Sequence, residues 1–98
     1  MGGEEMVSNE YEDYSDTVLY DVFYEAGTML GGWLVAAKRE ALARGNTAAV
    51  AEYEAEHIAM LDERDDVGVF DRVAQIAKIE QWHVRCAELD AQKVLVAS

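Results

Sequence analysis

The chain has no proline and a single cysteine among its 98 residues. Proline is the strongest helix breaker, and few stretches alternate polar and apolar residues with the period of a strand, so the composition favours helices. Cys86 has no second cysteine to pair with, which excludes an internal disulfide and makes a reducing cytoplasm the expected location. The first residues are acidic and do not begin as a signal peptide does. We therefore expect a cytoplasmic, all-α protein.

Long apolar stretches are also missing. The uncharged run at residues 26–37 is 12 residues long. As a helix it would extend about 18 Å, whereas the hydrocarbon core of a bilayer is about 30 Å thick, so the sequence predicts no membrane span. Gly27 and Gly31 lie four residues apart within this run. They predict close approach of a neighbouring helix, with a kink at Gly31–Gly32 as the alternative.

Basic residues are scarce, and the first 37 positions contain none. The chain has 20 acidic and 8 basic residues, which gives a net charge of −12. Eight of the acids precede the first basic residue: Glu4, Glu5, Glu10, Glu12, Asp13, Asp16, Asp21 and Glu25. A surface of this sign repels phosphate backbones and suits a basic partner. The sequence thus predicts binding to a basic protein and no direct binding to nucleic acid.

What the sequence does contain is helical periodicity. A stripe of apolar residues recurs at alternating steps of four and three: Leu19, Phe23, Ala26, Leu30, Trp33 and Ala37. This spacing predicts a long helix over about residues 15–44, followed by helices at about 46–64 and 69–93. The predicted fold is an all-α three-helix bundle, with the long first helix packed on an antiparallel helical hairpin. An acidic N-terminal arm, residues 1–14, precedes this single helical domain, residues 15–98.

The third predicted helix has a wide apolar arc. Its main stripe is expected to contain Val73, Ile76, Ala87 and Val94. Trp82 and Leu89 lie beside that stripe and widen the arc beyond what one neighbouring helix would cover. Cys86 is interpreted as a small core residue. The extra apolar width predicts a homodimer or a complex with a partner helix.

The acidic N-terminal segment interleaves carboxylates with aromatic rings. The residues predicted to bind a partner are Glu10, Tyr11, Glu12, Asp13, Tyr14, Asp16, Tyr20, Asp21 and Tyr24. Spaced carboxylates can stand in for phosphates, and tyrosines are good interface anchors. The hypothesis is an inhibitor or antitoxin-like factor, of the anti-CRISPR or DNA-mimic type, that occupies a basic nucleic-acid-handling protein. The alternatives are a merely solvated acidic tail and an architectural subunit of a homo-oligomer.

Each of the two histidines has a glutamate three residues before it. Glu54 and His57 fall in the second helix, and Glu80 and His83 fall in the third. Two such pairs resemble the di-metal sites of ferritin-like bundles, which implies iron, manganese or zinc as a possible ligand. The other interpretation is structural, with Glu–His hydrogen bonds or histidines at a helix edge, and it is the one we favour. No catalytic or cofactor-binding motif is present, so an enzyme is not expected.

Overall fold

The fold is an all-α three-helix bundle, as predicted. In the computed structural model, residues 10–97 are described, with side chains from residue 10 to residue 93. Helix α1 spans Asp16–Ala43, α2 spans Thr47–Asp66 and α3 spans Arg72–Ala97. Helix α1 packs against both of the others. Within residues 10–97, none of the helices combines the length and apolarity that crossing a bilayer requires.

Short polar side chains begin all three helices. Ser15, Asn46 and Asp71 each accept a hydrogen bond from the backbone amide three residues further along, at 3.1, 3.1 and 3.2 Å. These caps satisfy amide groups that have no partner inside the helix. Gly45 separates α1 from α2 with a φ of 72°, a left-handed conformation that glycine adopts without strain. Local sequence therefore sets the helix boundaries to within a few residues.

The contact between α1 and α2 depends on two glycines. A Cβ atom added at Gly27 would lie 3.0 Å from Cδ of Arg64 and 3.1 Å from Sδ of Met60. One added at Gly31 would lie 2.9 Å from Nε2 of His57. The predicted close approach of a neighbouring helix is thus confirmed. Gly27 of α1 contacts Arg64 of α2, whereas Gly31, later in α1, contacts His57, earlier in α2. The two helices are therefore antiparallel.

The contact between α1 and α3 is built from large apolar side chains, and these two helices are parallel. The rings of Phe23 and Trp82 stack, with their centroids 5.4 Å apart. Near the helix starts, Nη1 of Arg72 donates to a carboxylate oxygen of Asp16 at 2.9 Å. The buried core continues along α1 through Leu34, whereas the predicted stripe residues Trp33 and Ala37 are only partly buried beside it.

The buried stripe of α3 differs from the predicted one. Its members recur at alternating steps of four and three: Gln75, Ile79, Trp82, Cys86 and Leu89. Val73 is 81% exposed and Ala87 is also exposed, so their assignment to the core is wrong, while Val94 lies outside the described side chains. The apolar pattern did not predict this stripe because it includes the polar Gln75. The amide group of Gln75 donates a hydrogen bond to the carbonyl of Gly68 at 2.8 Å. The interpretation of Cys86 as a core residue is confirmed.

Helices α2 and α3 do not pack directly on each other. In the described part of the chain, no Cα atom of α2 lies within 8 Å of one in α3. Long side chains bridge the gap instead, with Lys78 donating to Glu63 at 2.8 Å and Arg85 to both carboxylate oxygens of Glu56 at 2.6 and 2.9 Å. The two helices of the predicted hairpin are therefore held mainly by their separate contacts with α1.

Candidate partner-binding surface

The turn before α1 is packed against the bundle. Tyr11 is only 6% exposed, and its ring meets that of Tyr14 edge to face, with centroids 5.8 Å apart. The backbone carbonyl of Tyr11 accepts a hydrogen bond from Nη2 of Arg72 at 3.0 Å. Burial, together with the charges of Glu10 and Glu80, raises the pKa of Tyr11. Residues 10–14 therefore do not form the separate arm that was predicted, and residues 1–9 lie outside the described residues.

The other predicted tyrosines also contribute to packing. Tyr14 and Tyr20 are partly buried against the core. Tyr24 is 43% exposed, but the guanidinium of Arg64 lies 3.6 Å from the centre of its ring and covers one face. The same guanidinium donates to the backbone carbonyl of Tyr24 at 3.0 Å. The prediction that Tyr11 anchors a partner is wrong because its side chain is already buried.

The predicted carboxylates, in contrast, are at the surface. Glu10, Glu12, Asp13 and Asp21 are exposed. Asp16 is also exposed, but its ion pair with Arg72 holds the N-terminal turn against α3. The negative charge predicted for this region is therefore available for recognition, although most of the tyrosines beside it are not.

Folding adds further acids to this end of the molecule. Because α1 and α3 are parallel and α2 is antiparallel to them, residues 10–28 and 60–82 lie at one end, here called the acidic pole. This pole contains 12 acidic and 3 basic residues. The opposite end, residues 29–59 and 83–93, contains 6 acidic and 5 basic residues. Net charges of −9 and −1 thus face away from each other along a bundle about 45 Å long.

The three basic residues of the acidic pole are all engaged in holding the structure. Arg64 is buried beneath Tyr24, Arg72 pairs with Asp16, and Lys78 pairs with Glu63. Ten carboxylates at this pole are exposed and form no ion pair among the described residues. They are Glu10, Glu12, Asp13, Asp21, Glu25, Asp62, Asp65, Asp66, Asp71 and Glu80.

Exposed apolar side chains accompany these carboxylates at the turn between α2 and α3. Phe70 is 77% exposed, Val73 is 81% exposed and Val69 is 50% exposed. The turn is well ordered by hydrogen bonds, since the amide of Asp71 donates to the carbonyl of Gly68 at 3.1 Å. An exposed aromatic ring on an ordered turn is a suitable interface anchor. We call Val69, Phe70 and Val73 the apolar tip.

Sequence reasoning missed the apolar tip because it assigned Val69 and Phe70 to the start of a helix and centred on the tyrosines. One signal was present. Val69 and Phe70 are flanked by acids, with Asp65 and Asp66 before Val67 and Gly68 and with Asp71 directly after. Apolar residues with no place in a buried stripe are candidates for contact with a partner.

The two Glu–His pairs do not meet in the structure. The carboxylate of Glu54 is exposed and accepts a hydrogen bond from Nζ of Lys38 at 3.2 Å, while His57 is partly buried against α1. Glu80 and His83 are both exposed. Across the described residues, no three potential ligands of the Asp, Glu, His or Cys type are grouped closely enough to hold a metal ion. The two pairs therefore do not come together among the described residues, and binding of iron, manganese or zinc remains a prediction.

Comparisons with known proteins give no information about function. No protein-family model, curated protein or solved structure matches the chain. The basic partner and the homodimer remain predictions.

Proposed function

We propose that this protein binds a basic protein through the acidic pole, with the apolar tip as the anchor. The observation that supports the proposal best is that ten exposed carboxylates, which form no ion pair within the described part of the chain, lie at the same end of the bundle as a highly exposed phenylalanine. Neither feature contributes much to folding. Self-repulsion among like charges destabilises a compact state, and an exposed ring gains little burial.

The two features have different physical roles. Carboxylates spread over one end steer a positively charged partner during diffusional approach, which raises the association rate and makes it sensitive to salt. Burial of the Phe70 ring in a pocket of the partner slows dissociation, as buried aromatic anchors do at other interfaces. The acids around the ring would form the polar rim of the contact.

The partner class that suits this surface is a protein that normally holds a phosphate backbone. Such a protein presents Lys and Arg side chains in a groove, and carboxylates can pair with them as phosphates do. Occupation of that groove would exclude nucleic acid, so the proposed effect is inhibitory, as in antitoxin-like or DNA-mimic proteins. This finer proposal depends on the first one.

Site-specific photo-crosslinking tests the proposal. A photoreactive phenylalanine analogue is placed at position 70, and in a matched control at position 42, because Leu42 is also well exposed at 63% but lies at the opposite end. We expect position 70 alone to capture a basic protein in extracts of the native host. The same capture at both positions, or none at position 70, would overturn the proposal.

A competition experiment then tests the finer proposal. Duplex DNA or RNA is added to the purified partner before the crosslinking step. We expect the nucleic acid to suppress capture at position 70 in proportion to its occupancy of the partner. Undiminished capture by a saturated partner would contradict the inhibitory role and leave simple binding to a basic protein in place.

A further inference from the structure

The end of the bundle opposite the acidic pole contains a cavity of about 350 Å³. It lies where the C-terminal half of α1 meets α2 and α3. Its apolar lining includes Trp33, Tyr53 and Leu89, together with small alanine side chains. The volume is within the usual range of small-molecule sites, although at its lower end. Two aromatic rings and a leucine form a surface on which a flat apolar group can pack.

The cavity is bordered by cations. Arg39, Arg44 and Lys93 line it, so three of the eight basic residues of this acidic protein lie around one opening. Among the described lining residues, Glu40 is the only acid. Arg39 forms no ion pair among the described residues. Arg44 contacts Glu40 at 3.4 Å, with both side chains about half exposed, and such a pair is weak. The charge at the opening is therefore positive.

Two further groups are suitably placed for an anion. Nζ of Lys93 lies over the Trp33 ring, 5.8 Å from its centre, so an ammonium group is close to the aromatic lining. The hydroxyl of Tyr53 accepts a hydrogen bond from Nε2 of Gln92 at 3.1 Å. Its own proton is then left to donate to a carboxylate. The cavity thus combines an apolar interior with donors and cations at its border.

The negative charge of the molecule as a whole does not oppose an anion here. Most of that charge is at the acidic pole, at the other end of a bundle about 45 Å long. Exposed charges are screened over about 10 Å at 0.1 M salt, so the field at the cavity comes mainly from its own border. We infer that this cavity is a binding site for a small aromatic carboxylate, whose ring packs against Trp33 and Tyr53 while its carboxylate pairs with Arg39 and Lys93.

A pair of probes with the same ring and opposite charge tests this inference on the full chain. Naphthoate and naphthylmethylammonium are titrated separately, and binding is followed by calorimetry and by the NMR signal of the Trp33 indole N–H. We expect saturable binding of naphthoate, with a dissociation constant on the order of 1 mM or lower, as is typical of a small ligand. The ammonium probe should bind at least about tenfold more weakly.

Matched variants assign the binding to the cavity. Arg39→Gln should weaken naphthoate binding about threefold, and the double change with Lys93→Gln about tenfold. Lys78→Gln removes the same charge at the acidic pole and should leave the affinity unchanged. No saturable naphthoate binding up to about 10 mM would overturn the inference. Equal binding of the two probes, or an equal effect of Arg39→Gln and Lys78→Gln, would do so as well. None of these results bears on the proposed protein partner, because crosslinking at position 70 tests that separately.

Discussion

The two ends of the bundle are built from the same three helices, but they differ in how many of their acids form ion pairs. At the end opposite the acidic pole, acids and bases are interleaved, and neighbouring elements pair them: Lys38 with Glu54, Arg44 with Glu40, and Arg85 with Glu56 and Glu88. At the acidic pole, among the residues that the structure describes, only Asp16 and Glu63 pair with a basic side chain, and the ten other acids do not. Local neutrality is therefore a property of one end only.

This difference in charge pairing is the basis for proposing the acidic pole, and not the opposite end, as the binding surface. Exposed ion pairs contribute little to stability. Pairing at the end opposite the acidic pole therefore mainly keeps a charged surface close to neutral. The acidic pole has a net charge of −9 and exposes an aromatic ring, and both features oppose or fail to support folding. Surface features that are not explained by stability are the ones most usefully tested as binding determinants.

The largest expected effect on stability comes from disrupting the contact between α1 and α2, which brings the acids of both helices together at the acidic pole. Gly27→Leu places a large side chain where even a Cβ atom would lie 3.0 Å from Arg64, so we expect a loss of about 2–3 kcal/mol in the free energy of unfolding. Urea denaturation followed by circular dichroism measures it. Gly32 has no neighbouring atom within 4 Å of an added Cβ, so Gly32→Ala should instead stabilise the helix by about 0.5–1 kcal/mol. Equal effects of the two changes would contradict the close contact.

The next effect concerns Tyr11, which packs the N-terminal turn onto the acidic pole. Burial raises the pKa of Tyr11 above its ordinary value of 10.0, so the folded chain holds the phenolic proton more tightly than the unfolded chain does. The resulting stability is fully present below about pH 10 and is lost as the pH rises through the folded-state pKa. Urea denaturation between pH 8 and 12 should show a steeper loss of stability in the wild type than in Tyr11→Phe. Parallel curves would show that Tyr11 ionises as freely in the folded protein as in the unfolded one.

How far the sequence predicted this structure depends on the helix considered. In α1 the predicted stripe residues from Leu19 to Leu30 are buried, because α2 and α3 both pack against that helix. Beyond Leu30 the predicted heptad pattern places Trp33 in the core, whereas the residues that are buried in the structure are Leu34 and Ala41. A nearly straight helix has 3.6 residues per turn, so a strict heptad pattern drifts off its core face over several turns.

The rest depended on contacts that local patterns do not contain. Gln75 is fully buried in the core stripe of α3, where its amide donates a hydrogen bond to the carbonyl of Gly68. Because a glutamine occupies a core position, the apolar residues alone predicted a different face of α3 as the buried one. Tyr11 is buried because Arg72, distant in sequence, fastens the backbone beside it. The carboxylates of the candidate site were partly predictable from composition. The apolar tip and the contribution of α2 became visible only once the helix directions were known.

A smaller effect distinguishes the charges of the two ends. Asp65 and Asp66 lie at the C-terminus of α2, where the helix dipole is negative, and many other carboxylates share that pole. Changing both to Asn should stabilise the fold by about 0.5 kcal/mol at low salt, and the gain should shrink in 1 M salt as screening removes the repulsion. Glu52→Gln, at the opposite end, should give no such gain. Thermal unfolding at two salt concentrations measures both. A gain that is independent of salt would show that repulsion is not its cause.

The smallest effect on folding is expected at the residue that the proposed function needs most. The Phe70 side chain is 77% exposed, so Phe70→Ser removes little buried apolar surface and should change the free energy of unfolding by less than about 0.5 kcal/mol. The same change should weaken binding to the partner captured at position 70 by about 2 kcal/mol or more, mainly through faster dissociation. Surface plasmon resonance measures the two rates, and Leu42→Ser is the matched control at the opposite end. If Phe70→Ser unfolds the protein, the ring is a packing residue. If it leaves both rates unchanged, the charged rim acts without an anchor.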